Sequence, residues 1–374
     1  MGKVCSLFSR RSNSVRDSAS TVGGTSLRAD LVCSGSDIQV ILNGSEVSLP
    51  SDANTSVLSG RRRSLLVGIN YYDTRHELHG GVNDVKRILP LLAAVGFESD
   101  SENQMVLTDA PDHSPEQRPT RDNILKGLNW LAENAQPGDA LFFHFSGHGG
   151  RENHEVGGQL HETLVPVDFE SASLISDKEI FDELVAKLPA GCRLTCLFDS
   201  YHGVEAPLAL PFTLMVDSPT LQMAKDSRCP WTPNVKTRQT SPNRRTARGE
   251  ILADVLMFTG CWLSPKSAQC TNTAEQCCLK PLRQNGSSFD SGSICLDQSR
   301  VAGGSNWGAG GALSSAFLEL LRDLPSQPPA LLTVLQKIRQ HLKARSSAQA
   351  PLIAASRPFA LKQIFGLDTR LLEW

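Results

Sequence analysis

Short hydrophobic runs alternate with longer amphipathic stretches over most of the chain beyond residue 60. Each short run is apolar, β-branched or aromatic and stops abruptly at small or polar residues, which is typical of a buried strand that ends in a loop. The predicted strands are residues 64–70, 105–109, 140–146, 162–169, 193–199, 250–261 and 357–367. The stretches with helical spacing predict helices within residues 82–95, 121–134, 176–188, 311–321 and 329–345. This alternation predicts an α/β domain with a parallel sheet and right-handed crossovers.

The first 60 residues follow a different pattern. Asn43 and Gly44 separate the runs IQVIL and SEVSL, which is a strong signal for a two-residue hairpin. We therefore divide the chain into a flexible tail (1–30), a segment with the hairpin (31–60) and a main domain (61–374). Within the main domain, polar and irregular composition at residues 217–249 and 264–300 predicts two long loops.

Composition narrows the class of protein. A hydrophobic fraction of 40% and a charged fraction of 20% suit a globular chain with a substantial core. The net charge of −2 offers no electrostatic reason to expect nucleic acid as a partner. The ten cysteines show no spacing of a zinc site, so we expect free thiols in a reducing compartment. No apolar run is long enough to span a bilayer.

The chain begins with MGKVCS, which carries two candidate lipidation positions. Gly2 and Ser6 fit the myristoylation motif, and Cys5 is a candidate for palmitoylation. Two acyl chains, helped by nearby arginines, would anchor a protein stably, whereas one myristoyl chain binds a membrane only marginally. We therefore expect a peripheral protein on the cytoplasmic face of a membrane, of plasma or flagellar type. The alternative is an unmodified tail on a cytoplasmic protein.

Two strand ends carry the candidate chemistry. FFHFSGHGG ends a predicted strand with His148, and CLFDSYHG ends another with the turn from Asp199 to His202. Ligands of open α/β sheets lie outside the carboxyl ends of the strands, so we expect both loops to face one crevice. A histidine loop followed about fifty residues later by a nucleophile is the order found in caspases. The expected nucleophilic cysteine is absent from the second loop.

These two loops resemble the histidine and cysteine motifs of metacaspases, which are caspase-like peptidases of family C14. The resemblance extends over about residues 61–369. It implies a caspase-like, mostly parallel sheet flanked by helices on both faces. It also places Asp199 on the aspartate of the family motif and Tyr201 on its catalytic cysteine, with His148 as the base.

Tyr201 is a poor replacement for a thiol. A phenol with a pKa near 10 is ionised to about one part in a thousand at pH 7, and its ring moves the oxygen away from the position of the sulfur. Ser200 precedes it, but successive side chains of a strand point to opposite faces. We therefore predict that thiol peptidase activity is absent. The alternative is a hydrolase that uses Ser200, or another nucleophile, with His148.

The resemblance also implies two binding features. Asp84, Ser146 and Asp199 match the pocket in which metacaspases accept an arginine or lysine side chain, and two carboxylates suit a guanidinium. The alternative is that these acids cap helices or pair with local arginines. The positions that match the calcium cluster of the family are His161, Asp177, Lys178 and Ala209. Since calcium needs six to eight oxygen ligands, we expect this site to be lost and no cofactor to be needed.

Together these inferences predict a membrane-attached pseudopeptidase that regulates or binds other proteins. Its partners would be basic segments with arginine or lysine, or an active relative. Two alternatives stay open: an active Arg/Lys-specific endopeptidase, and a structural subunit that binds neither peptide nor ion.

Overall fold

The computed structural model describes residues 58–153, 160–202, 212–215, 250–262, 311–322, 331–344 and 349–356, positions 208, 210 and 367, and three strands between residues 29 and 47. The strands, in chain order, are β1 (Ala29–Ser34), β2 (Asp37–Leu42), β3 (Ser45–Val47), β4 (Arg62–Gly68), β5 (Gln104–Thr108), β6 (Ala140–Ser146), β7 (Gly149–Asn153), β8 (Leu160–Leu164), β9 (Ile175–Ser176), β10 (Arg193–His202), β11 (Phe212–Met215), β12 (Asp254–Trp262) and β13 (Gln349–Ala355).

The N-terminal strands form a small antiparallel sheet in the order β1-β2-β3. Leu42 pairs with Ser45, so β2 and β3 meet on either side of positions 43 and 44. The predicted hairpin is therefore present, and β1 adds a strand that the hydrophobic pattern did not predict. Residues 1–28, which include Gly2 and Cys5, lie outside the described residues.

The main domain is built on a seven-stranded sheet of order β11-β13-β12-β10-β6-β4-β5. The five strands from β12 to β5 in this order pair in parallel. β13 and β11 continue the sheet in antiparallel pairing. The predicted α/β class with a mostly parallel sheet is confirmed.

Helices cover both faces of this sheet, as expected. They are α1 (Gly81–Ala94), α2 (Arg121–Ala132), α3 (Phe169–Ala172), α4 (Asp177–Glu183), α5 (Ala312–Arg322) and α6 (Leu331–Ala344). Successive side chains of a strand point to opposite faces, and β4 accordingly sends Leu65 into one core and Leu66 into the other. Helices α2 and α4 pack on the face of Leu65, whereas α1, α5 and α6 pack on the face of Leu66. No helix in the described ranges could cross a bilayer.

The capping signals of two helices act as the sequence indicates. The Thr120 side chain accepts a hydrogen bond from the Asn123 N–H at the start of α2. Ser176 and Glu179 form a reciprocal capping box at the start of α4. These local contacts set where both helices begin on the face of the sheet that carries α2 and α4.

The C-terminal part of the sheet contains a strand that the hydrophobic pattern did not predict. The pattern placed a final edge strand at residues 357–367, of which 357–366 lie outside the described residues. The strand that the pattern missed is β13, which precedes these residues and lies between β11 and β12. Its sequence, QAPLIAA, is rich in small residues and holds Pro351, so its hydrophobic signal is weak.

Candidate active site

The two predicted site loops start side by side at the carboxyl edge of the sheet. β6 and β10 are adjacent and parallel, and Ser146 pairs with Asp199. Beyond this pair, the Gly147 N–H donates a hydrogen bond to the Asp199 carbonyl at 3.3 Å. His148 follows Ser146 by two residues, and Tyr201 follows Asp199 by two. Tyr201 and His148 therefore each follow the last residue paired between β6 and β10 by two positions, and the register of β10 against β12 is irregular between Phe198 and His202.

His148 is held from two sides in a buried position, with 1% of its surface exposed. Its backbone N–H donates to the Tyr71 hydroxyl at 2.9 Å. Its ring Nε2 lies 2.8 Å from the backbone carbonyl oxygen of His76. Because a carbonyl can only accept, Nε2 carries a proton, which leaves Nδ1 as the nitrogen that can act as a base. This is the tautomer that a general base with a fixed orientation requires.

The residues that hold His148 come from the loop after β4, which the sequence reasoning missed as part of the site. Tyr71 has a φ of 52°, and its hydroxyl donates to the Val165 carbonyl at 2.6 Å. Its ring centroid is 4.6 Å from that of His148. Burial raises the pKa of the Tyr71 phenol well above its usual value. The available signal was the polar and aromatic end of the first predicted strand, but nothing local linked it to a histidine 77 positions away.

The structure brings Asp84, Ser146 and Asp199 together. Asp84 lies in the first turn of α1, and the Ser146 hydroxyl donates to its Oδ2 at 2.8 Å. Asp84 is fully buried and Asp199 is 5% exposed. Burial raises the pKa of Asp84 well above its usual range, and the charge of Asp199 raises it further. Burial also raises the pKa of Asp199. Asp84, Ser146 and Asp199 thus form a buried acidic cluster, in which burial opposes the ionisation of both carboxyl groups.

Both carboxylates bind the N-terminus of α5. The Gly311 N–H lies 3.0 Å and 2.8 Å from the two carboxylate oxygens of Asp84. The Ser314 N–H donates to Asp199 Oδ2 at 2.7 Å. Arg87 adds an ion pair with Asp84 at 3.8 Å. The alternative interpretation was that these acids cap helices or pair with local arginines. Both kinds of contact are present at the predicted pocket.

His144 is a further member of this cluster that the sequence reasoning missed. It lies in β6 and is fully buried, with Nε2 at 3.1 Å from the Ser314 hydroxyl. Burial lowers the pKa of its imidazole to about 3, so the ring is neutral at physiological pH. Its position inside an apolar strand made it look like a core residue.

Two further predicted positions, Ser200 and Tyr201, follow Asp199 in β10. Ser200 belongs to β10 and is 3% exposed. Tyr201 belongs to the same strand, but its side chain lies outside the described part of the chain.

The positions matched to the calcium cluster offer few donors. Asp177 is buried at the start of α4, and the ammonium group of the next residue, Lys178, pairs with Asp182. The His161 side chain and Ala209 lie outside the described residues. Within the described part, no group of three or more His, Cys, Asp and Glu side chains could hold a metal ion. The described positions thus supply one carboxylate and one ammonium group, and the loss of calcium binding stays a prediction.

Comparison with known proteins identifies the family. The family model "Metacaspase, peptidase C14 domain" matches residues 62–210. Metacaspase-1 of Mycosarcoma maydis is 34% identical over 315 residues, which cover 83% of this chain and 74% of the relative. Metacaspase-1 of Schizosaccharomyces pombe is 36% identical over 313 residues, which cover 81% and 69%. The crystal structure of caspase-1 from Spodoptera frugiperda covers 82% of this chain and 92% of its own, with 12% identity and a TM-score of 0.37. The chain belongs to the metacaspase family.

Proposed function

We propose that this chain is a metacaspase-family pseudopeptidase, which binds segments with arginine or lysine, or an active relative, without cutting them. The observation that carries the proposal is Tyr201. It stands two residues beyond Asp199, where the resemblance to the family motif expects the catalytic cysteine, and the Asp199 backbone pairs with that of Ser146, two residues before His148.

The chemistry of the phenol supports the loss of hydrolysis. A cysteine thiol has a pKa near 8.5, which a neighbouring imidazole readily lowers, whereas tyrosine starts near 10. His148 keeps the tautomer of a general base, yet a base needs a nucleophile that can reach the substrate carbonyl. The site is therefore proposed to retain the base but to lack a competent nucleophile.

The acidic cluster supports recognition of basic segments. Asp84 and Asp199 place two buried carboxylates beside the Ser146 hydroxyl, and buried carboxylates favour a cationic partner. Calcium is not needed in this proposal, because the described positions matched to the calcium cluster offer one carboxylate, Asp177, beside the cationic Lys178.

An assay of hydrolysis tests the central claim. The purified chain is incubated with arginine and lysine peptides, with and without calcium, and we expect no turnover. Tyr201→Cys should introduce turnover that His148→Ala abolishes, because the thiol would return to the family position. Turnover by the unmodified chain that disappears in Ser200→Ala or Tyr201→Phe would instead establish the alternative, an active Arg/Lys-specific endopeptidase.

A binding measurement tests the acidic cluster. Titration with a peptide that ends in arginine should show binding that Asp84→Asn weakens at least tenfold. Asp122→Asn, which removes an exposed carboxylate on α2, is the matched control and should bind as the unmodified chain does. Equal binding by both variants would exclude the cluster as the binding site, and absence of binding in all three proteins would favour a purely structural subunit.

Membrane attachment through Gly2 and Cys5 is the third part of the proposal. It is supported by the agreement of the N-terminal motif with neighbouring basic residues. In cells, Gly2→Ala should move the protein from the membrane fraction to the soluble fraction. Cys5→Ser should do so as well, because a single myristoyl chain binds only marginally. Unchanged partitioning of both variants would reject acyl anchoring.

A further inference from the structure

We propose that the first turn of α5, from Gly311 to Ser315, is an internal occupant of the acidic cluster, so that a basic side chain binds only after this turn withdraws. The inference rests on the proposed function and adds its regulation. It follows from the donors that the turn supplies, the space that it fills and the contacts that hold it in place.

The turn supplies the donors that a guanidinium would bring. The first amides of a helix have no intrahelical acceptor, and the N-terminus of a helix carries a partial positive charge. In α5 the first described intrahelical bond runs from the Ser315 N–H to the Gly311 carbonyl. The Gly311 and Ser314 N–H groups bind Asp84 and Asp199 instead. Backbone amides thus take the place of a charged ligand on both carboxylates.

The turn also fills the space that a ligand would need. A methyl group added at Gly311 would lie 1.9 Å from Asp199 Oδ2 and 2.7 Å from Asp84 Oδ2. A guanidinium nitrogen must come within about 2.7–2.9 Å of a carboxylate oxygen. The Gly311 backbone lies between the two acids and blocks that approach. Only a residue without a side chain allows α5 to come this close to both acids. The turn and a basic side chain therefore cannot occupy the acidic cluster at the same time.

Two side-chain contacts hold the turn in place from outside the acid pair. The Ser314 hydroxyl bonds to His144 of β6. The Ser315 hydroxyl accepts from Arg87 Nη1 of α1 at 3.0 Å. These contacts connect the turn to the sheet and to the neighbouring helix, so a basic segment must compete with several hydrogen bonds rather than with one. The closed pocket would lower the apparent affinity for basic segments until a partner releases the turn.

Gly311→Ala is the variant that should displace the turn and leave the acidic cluster open to a basic side chain. Its methyl group cannot be accommodated against Asp199, so the turn should withdraw while both carboxylates remain. We expect an N-acetylated tripeptide amide that ends in arginine to bind this variant at least tenfold more tightly than the unmodified chain. The matched control is Gly127→Ala in α2, whose methyl would meet Leu65 side-chain atoms at 3.0 Å and 3.2 Å. It should leave the affinity unchanged.

Hydrogen exchange of the Ser314 amide provides a second measurement. In the unmodified chain this amide should exchange slowly, and the arginine peptide should accelerate its exchange because the turn leaves the pocket. If Gly311→Ala does not fold, Ser315→Ala replaces it, since it removes the bond from Arg87 that holds the turn and keeps both carboxylates. Ser315→Ala should increase the affinity a few-fold. Unchanged affinity in the opening variants, with unchanged exchange in the presence of bound peptide, would overturn the inference.

The outcomes distinguish this inference from the proposed function. If no variant binds the peptide, binding of basic segments fails as a function. Occupation of the cluster by α5 is then supported if Asp199→Asn accelerates exchange of the Ser314 amide, and rejected if it does not. If the unmodified chain binds the peptide tightly while the Ser314 amide still exchanges slowly, binding of basic segments is supported. The proposal that the turn and a basic side chain exclude each other is then rejected.

Discussion

The Tyr71 hydroxyl lies between the backbone N–H of His148, from which it accepts at 2.9 Å, and the Val165 carbonyl, to which it donates at 2.6 Å. One phenol thus joins the loop after β4 to the histidine loop and to the segment after β8. The neighbouring His76 carbonyl fixes the imidazole from the same loop. The orientation of His148 therefore depends on a residue that carries no chemistry of its own.

Tyr71→Phe should destabilise the protein by about 1–3 kcal/mol, because the substitution leaves a buried N–H and a buried carbonyl without their partner. Urea unfolding at neutral pH measures the change. Tyr72→Phe is the control, because the Tyr72 hydroxyl accepts one bond from Asn70 at a residue with 37% of its surface exposed. It should cost less than about 1 kcal/mol. Equal losses in the two variants would contradict the bridging role of Tyr71.

Asp254→Ala, which breaks a buried ion pair, should destabilise the protein more than Asp122→Ala, which breaks an exposed one. Asp254 of β12 binds Arg193 of β10 through two bonds, at 2.6 Å and 2.9 Å, and both side chains are buried. Removal of one partner leaves an uncompensated charge in the sheet and should cost about 3–5 kcal/mol. Asp122→Ala breaks the exposed pair with Lys126 and should change stability by less than about 1 kcal/mol. Chemical unfolding of both variants measures the difference, and similar losses would contradict it.

Stability should decrease as the pH rises through the raised pKa of Asp84. Its carboxyl has a higher pKa in the folded state than in the unfolded chain, so the folded state holds its proton more tightly. The stabilisation is complete below the ordinary carboxyl pKa near 4 and is lost as Asp84 ionises. Asp84→Asn should make the decrease shallower, since Asp199 still contributes in the same direction. Unfolding free energies at a series of pH values test this, and identical slopes would contradict it.

The stability that His144 contributes should change with pH in the opposite direction to that of Asp84. Burial lowers its folded-state pKa to about 3, whereas the unfolded chain takes up the proton near 6.5. Its contribution is present above pH 6.5 and is lost as the pH falls towards 3. His144→Gln, which can still bond to Ser314 but cannot be protonated in this range, should resist acid unfolding better relative to its stability at neutral pH. A parallel loss in both proteins between pH 6 and 4 would contradict the assignment.

Much of this protein could be predicted from the sequence, because its strongest signals are local. The run from Ala140 to Ser146 is apolar except for His144 and Ser146 and is buried throughout, so its role as a buried strand followed from the pattern alone. The alternation of such runs with helical stretches predicted a parallel sheet, and the structure shows β6 and β10 as neighbours in it. Once both strands were parallel and adjacent, their ends had to lie at one edge, and the placement of Ser146 beside Asp199 followed.

The tertiary structure alone decided what these residues contact. Asp84 and Gly311 are 227 positions apart, and Tyr71 and His148 are 77 apart, so no local period could link them. The same holds for β13, whose place inside the sheet depends on the pairing of a weakly hydrophobic segment with β12 and β11. Hydrophobic burial sets which segments become strands and helices, because it depends on residue type and spacing. Hydrogen bonds between distant segments depend on how those elements pack, and packing determines that the two acids bind the end of a helix.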